Sequence, residues 1–457
     1  MLTYQDFEKA RASGGVPAFI GKLLGEHAGS SMVQTARTAD EYDHQRNVTI
    51  REYAAIRYTS NGERYTDFTK QPSRIASNFF NILNTRRNTY SLGNGVTFTQ
   101  DGVKEKLGAD FDGVLSRAGY LALIHGVSFV FWNFDRAHVF PLTEFAPLWD
   151  ETTGALRAGV RYWRLDKDKP IQAVLYEEDG FTRYSGKTAQ KLEAQTEKRA
   201  YKQRERRAPA DVRSEVVGEE NYGALPIVPL WGSRLKQSTL VGNRQAIDSY
   251  DLVYSGFADD LRDCAQIYWL IENYGGMSAE DIQQFLDRMT LTHAASADTQ
   301  NGGKITPYTQ EVPYQSRAAY LNMMRTSIYE AFGVMDAASI AAGNKTATEI
   351  NAAYQAMDDK ADDYEYQIAE CVRQLLALQG IDDYPQFKRN RISNQLEQVQ
   401  MVMLEAEYLD EETVLNKLPN VTPDEVEGIM QRKGEQERSV FVRDGQSAGF
   451  GNMEEQS

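Results

Sequence analysis

Residues 341–380, AAGNKTATEINAAYQAMDDKADDYEYQIAECVRQLLALQG, limit what this chain can fold into more than any other stretch. Thr346 followed three positions later by Glu349 forms a capping box, in which each side chain satisfies an amide that the first helical turn leaves without a partner. Gly380 supplies a left-handed stop at the other end. Between them Ala347, Ile350, Tyr354, Met357, Ala361, Tyr364, Ile368, Cys371, Leu375 and Leu378 step by alternating threes and fours, which is one unbroken helical stripe. At about 1.5 Å per residue the helix over 346–380 spans on the order of 50 Å, against an average of about 11–12 residues for a globular helix. A stripe of that length needs an equally long surface beside it.

The chain has 457 residues, 41% hydrophobic and 11% aromatic, enough for two or three domains with substantial cores. Its 50 basic and 65 acidic side chains leave a net charge of −15, which argues against gripping nucleic acid by neutralising phosphates. A protein that handles DNA without holding it stays open. Only two cysteines occur, Cys264 and Cys371, so there is no disulfide framework and no CxxC metal pair. Both read as small core residues in a reduced, intracellular setting. The opening MLTYQDFEKARASGG lacks a basic-then-apolar signal pattern, and no run approaches the roughly 18 apolar residues of a membrane span.

Residues 1 to about 90 read as mostly helical, including EYAAIRYTSNGERYTD and SRIASNFFNILNTRRNTYSLGNG, where Ile75, Phe79, Ile82 and Leu83 share a face. From 96 to 185 short β-branched and aromatic runs separated by Gly, Asp and Pro predict antiparallel strands, interrupted by a helix near 110–125. The first half is therefore α+β. Residues 186–219 carry a basic cluster of Lys187, Lys191, Lys198, Arg199, Lys202, Arg204, Arg206 and Arg207, which reads as a solvated face or mobile insertion, with a phosphate or partner contact as the alternative. A helix follows at 246–263, with Ile247, Tyr250, Tyr254, Phe257 and Leu261 on one side and Asp248, Asp251, Asp259, Asp260 and Asp263 mostly outside it. Then come a small α/β insert, with a helix at SAEDIQQFLDRM and strands about Asn301-Gly302-Gly303, and a helix from Tyr314 to Phe332. Short capped helices follow, with Asp410 and the Thr422, Pro423 and Glu425 signature as N-terminal signals, and a Gly-, Ser- and Glu-rich tail from about 436 is expected to be disordered.

Signs of catalysis are nearly absent. His27, His44, His125, His138 and His293 are scattered, and GxSxG, HExxH and GxGxxG are missing. GFTRYSGKT has five residues between its glycines where a phosphate-binding loop needs four. The acidic pairs Asp259-Asp260, Asp358-Asp359, Asp362-Asp363 and Asp382-Asp383 point about 100° apart on a helix and read as solvated faces. The expectation is a protein with no cofactor, no metal and no enzymatic activity.

The order of elements resembles the phage portal proteins of the SPP1-like branch, from about residue 45 to 435. It is carried by SRIASNFFNILNTRRNTYSLGNGVTF, by RAGYLALIHGVSFVFWNFD with FAPLWD and AGVRYWR, and above all by LPIVPLWGSRLKQSTLVGNRQAIDSYDLVYSGFADDL, with PQFKRNRISNQLEQVQMV and LDEETVLNKLP further on. The resemblance implies a homo-oligomeric ring, usually dodecameric, at one capsid vertex of the virion, through which double-stranded DNA is packaged and ejected. Implied partners are the terminase large subunit, a head-completion or adaptor protein, and the major capsid and scaffolding proteins, without a membrane. By position, 1–238 and 381–395 would form a wing, 239–263 and 313–332 two stem helices, and 264–312 a clip where terminase docks. Residues 333–345 would form a tunnel loop, 346–380 the long helix, 396–435 a crown, and 436–457 the disordered tail. Ser339, Asn344, Lys345 and Thr346 are then the expected DNA-facing positions, and Asp248, Asp251, Asp259 and Asp263 the acidic lining of the bore, since carboxylates repel phosphate where cations would hold it. Two other readings stay open: an oligomeric tail or baseplate protein without a DNA-sized channel, and an enzyme without a recognisable motif.

Overall fold

Four short helices open the chain: α1 (Tyr4–Ala12), α2 (Val16–Gly29), α3 (Ser31–Asp43) and α4 (Val48–Arg51). The first is started by a capping box, with Thr3 Oγ1 accepting from the Asp6 amide and the Asp6 carboxylate accepting from the Thr3 amide. In this computed structural model the described residues are 2–54, 56–58, 62–66, 71–207, 214–264, 268–272, 278, 280–281, 283–284, 287, 304–308, 314–336, 347–391, 399, 402–418, 421, 426 and 428–433. The chain divides into two units, Met1–Arg389 and Asn390–Ser457.

The expected helical reading fails in two places before residue 90. Strand β1 (Ile56–Tyr58) forms a hairpin with β2 (Arg64–Thr66), with Gly62 before the second strand at φ 81°. An Asn-Gly pair between short polar and aromatic runs favours a turn over a helix. Ile75 does not share a helix with Phe79, because residues 71–78 are irregular and α5 begins only at Phe79 (Phe79–Leu92). After β3 (Val96–Thr97), α6 (Val103–Leu107) and α7 (Phe111–His125), the strand-rich part is as anticipated: β4 (Val127–Asn133), β5 (Arg136–Pro141), β6 (Phe145–Trp149), β7 (Leu156–Trp163), β8 (Ile171–Glu177), β9 (Gly180–Gly186) and β10 (Glu193–Ala194). The near-miss phosphate loop is strand β9.

Strands β6 to β10 form one antiparallel meander, in the order β10-β9-β8-β7-β6. Strand β13 (Ile227–Trp231) returns to pair with β4, giving a second sheet β13-β4-β5. The basic stretch contains a hairpin, β11 (Lys202–Arg207) against β12 (Ser214–Glu220), whose register sets Lys202 opposite Glu220 and Arg206 opposite Glu215. Lys198 pairs with Glu177 at 3.0 Å and with Asp179. Two of the eight bases of this cluster, Lys198 and Lys202, thus have acidic partners close by.

The described residues beyond 231 are mainly helical: α8 (Arg244–Cys264), α9 (Tyr314–Phe332), α10 (Ala347–Ala377) and, in the C-terminal unit, α11 (Glu411–Lys417), with the pair β14 (Tyr268–Glu272) and β15 (Lys304–Tyr308) between α8 and α9. Strand β16 (Gln386–Phe387) pairs with β3. Ser278 and Asp281 cap each other's amides at 3.0 and 3.2 Å, marking the start of the expected helix in the insert. Asp410 caps α11 through the Thr413 amide, whereas Thr422, Pro423, Glu425 and the tail from 434 lie outside the described residues. Thr346 does too, so the described part of the long helix begins at Ala347.

The surface beside the long stripe belongs to the same chain. Tyr364, Ile368, Cys371, Val372, Leu375 and Leu376 of α10 are buried in one core with Leu115 and Ala122 of α7, Val130 and Trp132 of β4, and Val228 and Leu230 of β13. Further up the helix, Tyr354, Met357 and Ala361 pack on Tyr90 of α5. A Schellman motif ends α10, with Gly380 at φ 72°, its amide donating to Ala377 O at 3.0 Å and that of Ile381 to Leu376 O at 3.1 Å.

Candidate functional site

Helix α8 carries an apolar row and, opposite it, short polar side chains at four-residue spacing: Asp251, Ser255 and Asp259. Each takes a backbone amide from residues 71–78. Asp259 accepts from Ser73 N at 2.9 Å, Ser255 Oγ from Ile75 N at 3.0 Å, and Asp251 from Ser77 N at 2.9 Å. Arg262 extends the series by donating to Gln71 O at 3.3 Å. The partners rise along the segment as they descend along the helix, so the two run antiparallel. Four helical residues advance about 6.0 Å and two extended residues about 6.6 Å, so successive rungs stay aligned. Asn47 closes the top by donating to Asp251 at 2.5 Å and to Ser77 O at 3.1 Å.

Three of the carboxylates expected to line the bore have partners within the chain. Asp251 is completely buried, so it faces no bore. Asp248 accepts from the Tyr42 hydroxyl and from Thr49 Oγ1 at 2.7 Å, and Asp259 is held by Ser73 and by Arg262 at 2.7 Å. These three carboxylates act as acceptors that fasten N-terminal segments to α8. The backbone of Asp263 lies in the last turn of α8, and its side chain is outside the described residues, as are Ser339, Asn344, Lys345 and Thr346. Burial pushes the Asp251 carboxyl above its ordinary range, with the Ser77 and Asn47 donors opposing the shift.

Asp251→Ala is expected to cost about 2 kcal/mol, since it strands the Ser77 amide and the Asn47 amide nitrogen away from water. A carboxyl raised in the folded state contributes stability below its unfolded value near 3.8 and loses it as pH rises through the raised value. Wild type should therefore lose stability relative to Asp251→Asn from about pH 4 towards neutrality. Urea midpoints of both proteins across that range test this, and a constant or growing advantage of wild type would refute it.

Helices α8 and α9 pack antiparallel. Phe257 lies 6.4 Å from Tyr314 and Asp260 pairs with Arg317 at one end, while Ile247, Ile328 and Phe332 share a core with Tyr42 and Phe80 at the other. The two helices contain four arginines and no lysine. Every one of the four is paired within the chain: Arg244 with Asp248 at 3.5 Å, Arg262 with Asp259, Arg317 with Asp260, and Arg325 with Asp336 at 3.0 Å. The exposed row of α9 runs through Gln315, Ala319, Asn322, Thr326 and Glu330, with a single charge among the five. Helix α9 ends as α10 does, with Gly333 at φ 64° and Val334 N donating to Tyr329 O at 3.0 Å.

The acidic pairs on α10 are not simply solvated faces. Arg389 bonds Asp358 at 3.0 Å and Glu365 at 2.9 Å, and also reaches Asp362, so one guanidinium spans two turns of the helix. Asp363 accepts from the Arg234 amide at 3.2 Å, and the nearly buried Asp383 from the Gln100 amide at 2.9 Å.

Residues 33–439, most of the chain, match the family described as phage portal protein, SPP1 Gp6-like. The chain belongs to this family. The portal protein of Bacillus phage SPP1 is 23% identical over 421 residues, covering 85% of this chain and 77% of that protein. The portal protein of Clostridium phage phiCD119 is 26% identical over 221 residues, 46% of this chain and 48% of that one, so this match spans about half the length of the relative. A solved structure titled "Neck of native GTA particle computed with C12 symmetry" is similar at a TM-score of 0.41 and 11% identity, over 75% of this chain and 90% of that one.

In this portal-family chain the positions that sequence reasoning missed are Ser255, Asn47 and Arg389. The spacing Asp251-x3-Ser255-x3-Asp259 was the available signal for the first, because short acceptors in one helical row serve a partner along the axis. Nothing local marks Arg389, which meets its three carboxylates only after the chain has turned back at Gly380. Among the described residues no group of three His, Cys, Asp or Glu side chains is placed to hold a metal, and no helix is long and apolar enough to cross a membrane.

Proposed function

We propose that this chain forms the portal ring, a dodecamer at one capsid vertex, through which double-stranded DNA is packaged and ejected. In this reading α8 and α9 are the stem, residues 264–312 are the clip that receives the terminase large subunit and then the adaptor protein, and residues 1–238 with 381–395 form the wing toward capsid and scaffolding proteins. Residues 396–435 are the crown. The observation that carries the reading is the charge arrangement of α8 and α9: all four arginines are satisfied within the chain, so none is left to hold a phosphate. DNA that must slide needs such a surface, because every unpaired cation would release a counterion and bind. The exposed row of α9, from Gln315 to Glu330, then faces the bore. Asp263 stays a bore position beside it, and Ser339, Asn344, Lys345 and Thr346 are the loop positions nearest the duplex. Asp248, Asp251 and Asp259 fasten the wing to the stem. Host cytoplasm is the site of assembly.

Imaging of the purified protein by negative stain, with its mass measured in solution, tests this. The expected result is a ring with a central hole wider than the groove-to-groove body of a duplex, and a labelled duplex that does not remain bound to the rings at low salt. Assemblies without a hole, or rings that retain the duplex tightly through α8 and α9, would overturn the assignment.

A further inference from the structure

A cleft of about 430 Å³ opens between the sheets β13-β4-β5 and β10-β9-β8-β7-β6, far from α8 and α9 in the chain. Its floor is set by register: Arg161 on β7 stands opposite Val174 on β8, which stands opposite Arg183 on β9. Registered neighbours share a sheet face, so two guanidinium stems rise from one face with a single valine between them, about 9.6 Å apart at the backbone. The Arg161 guanidinium lies 4.4 Å from the Phe140 ring centre and 4.9 Å from that of Trp163. Its Nε is buried without a hydrogen-bond acceptor, and its ion pair with Glu144 is long, at 3.7 Å. Arg183 lies 5.8 Å from the Phe181 ring and has no ion pair among the described residues. No lining residue is acidic, and His138 on β5 adds an imidazole that burial and the neighbouring Arg136 and Arg161 keep neutral, a polar group rather than a charge.

In a chain with a net charge of −15, a cleft lined by two guanidiniums and no carboxylate, with Glu144 only at the far end of a long ion pair, is a locally positive site with aromatic walls. Its size falls within the range of about 300–1,000 Å³ for ligand sites and excludes a duplex. Strand β5, which supplies His138 and Phe140, is an edge strand that pairs only with β4 among the described residues. A free edge beside the cleft offers backbone groups to an extended polypeptide, which a mononucleotide would leave unused.

We infer that this cleft binds an extended acidic segment of a partner protein, which pairs with β5 and places alternate side chains, a carboxylate and an aromatic ring, onto Arg161 and Arg183 and between Phe140, Trp163 and Phe181. The carboxylate forms charge-assisted hydrogen bonds to the guanidiniums, and the ring fills the aromatic walls. This site is independent of the channel and lies on the face that the portal reading assigns to the wing.

The test uses the full chain and a labelled, end-capped peptide, Thr-Glu-Thr-Tyr-Thr-Glu-Thr, with binding read by fluorescence anisotropy. Saturable binding that weakens with added salt is expected, and Arg183→Gln, at an exposed position, should weaken it at least about tenfold with no change in melting temperature. A glutamine analogue of the peptide should lose at least as much. Absence of binding, equal binding of the glutamine analogue, or an unchanged affinity in Arg183→Gln would overturn the inference. So would displacement by adenosine monophosphate at lower concentration than by unlabelled peptide, which would assign the cleft to a nucleotide.

Discussion

Gly126→Ala is expected to destabilise the Met1–Arg389 unit by about 4 kcal/mol, from a backbone conformation that disfavours a side chain and a clash that cannot relax. Gly126 caps α7 at φ 91°, and its amide donates to Ala122 O at 2.8 Å. A methyl group there would lie 2.8 Å from the Gln237 carbonyl carbon and 2.9 Å from the Ser238 nitrogen, both backbone atoms. The segment it would displace runs directly into α8, and is itself tied to α7 by Thr239 N donating to Leu123 O at 3.0 Å. Gly154→Ala is the matched control, since Gly154 has φ 67° and open space around the added carbon. It should cost only the conformational part, about 1 kcal/mol. Urea denaturation of the two variants would separate the terms, and equal midpoints would show that the contact with residues 237–238 gives way.

Arg389→Ala should cost about 2–3 kcal/mol, between the values for an exposed and a fully buried ion pair, because three carboxylates lose a common partner. The Arg389 side chain is 21% exposed, and those of Asp358 and Glu365 are 18% and 12% exposed. Without the guanidinium, Asp358, Asp362 and Glu365 repel one another on successive turns of α10. Arg389→Lys should recover only part of the loss, since one ammonium cannot match three carboxylates as a planar fork does. Arg373→Ala, which breaks an exposed pair with Glu370, should change stability by less than about 0.5 kcal/mol. A midpoint for Arg389→Ala close to that of Arg373→Ala would mean that solvent already screens the cluster.

How much was legible depended on how local the signal was. Helix α9 was bounded correctly by its repeat from Tyr314 to Phe332, and the stripe of α10 proved to be its buried face, from Tyr354 to Leu375. The alternation of β-branched and aromatic runs marked β4 to β9 as an antiparallel set. In each case the information lies in neighbouring residues, because helical and strand periods repeat within a few positions. The hairpin of β1 and β2 departs from the helical expectation although an Asn-Gly pair lies between its strands, since runs of three residues are too short to show a period.

The sequence by itself determined that this chain carries a long buried helix, an α+β first half and a net acidic charge, with the order of elements found in phage portal proteins. Only the tertiary structure decided what the acids do. Asp251 and Asp259 find their partners 174 and 186 residues away, and those partners are backbone amides, which every residue but proline possesses. No letter of the sequence distinguishes Ser73 or Ser77 as a donor. The same holds for the arginines of α8 and α9: composition counts their charge, but only the packing of the two helices and the turn at Asp336 shows that each charge is already neutralised. Charge is additive along a chain, whereas its availability to a ligand depends on what lies within a few ångströms, and that is set by folding.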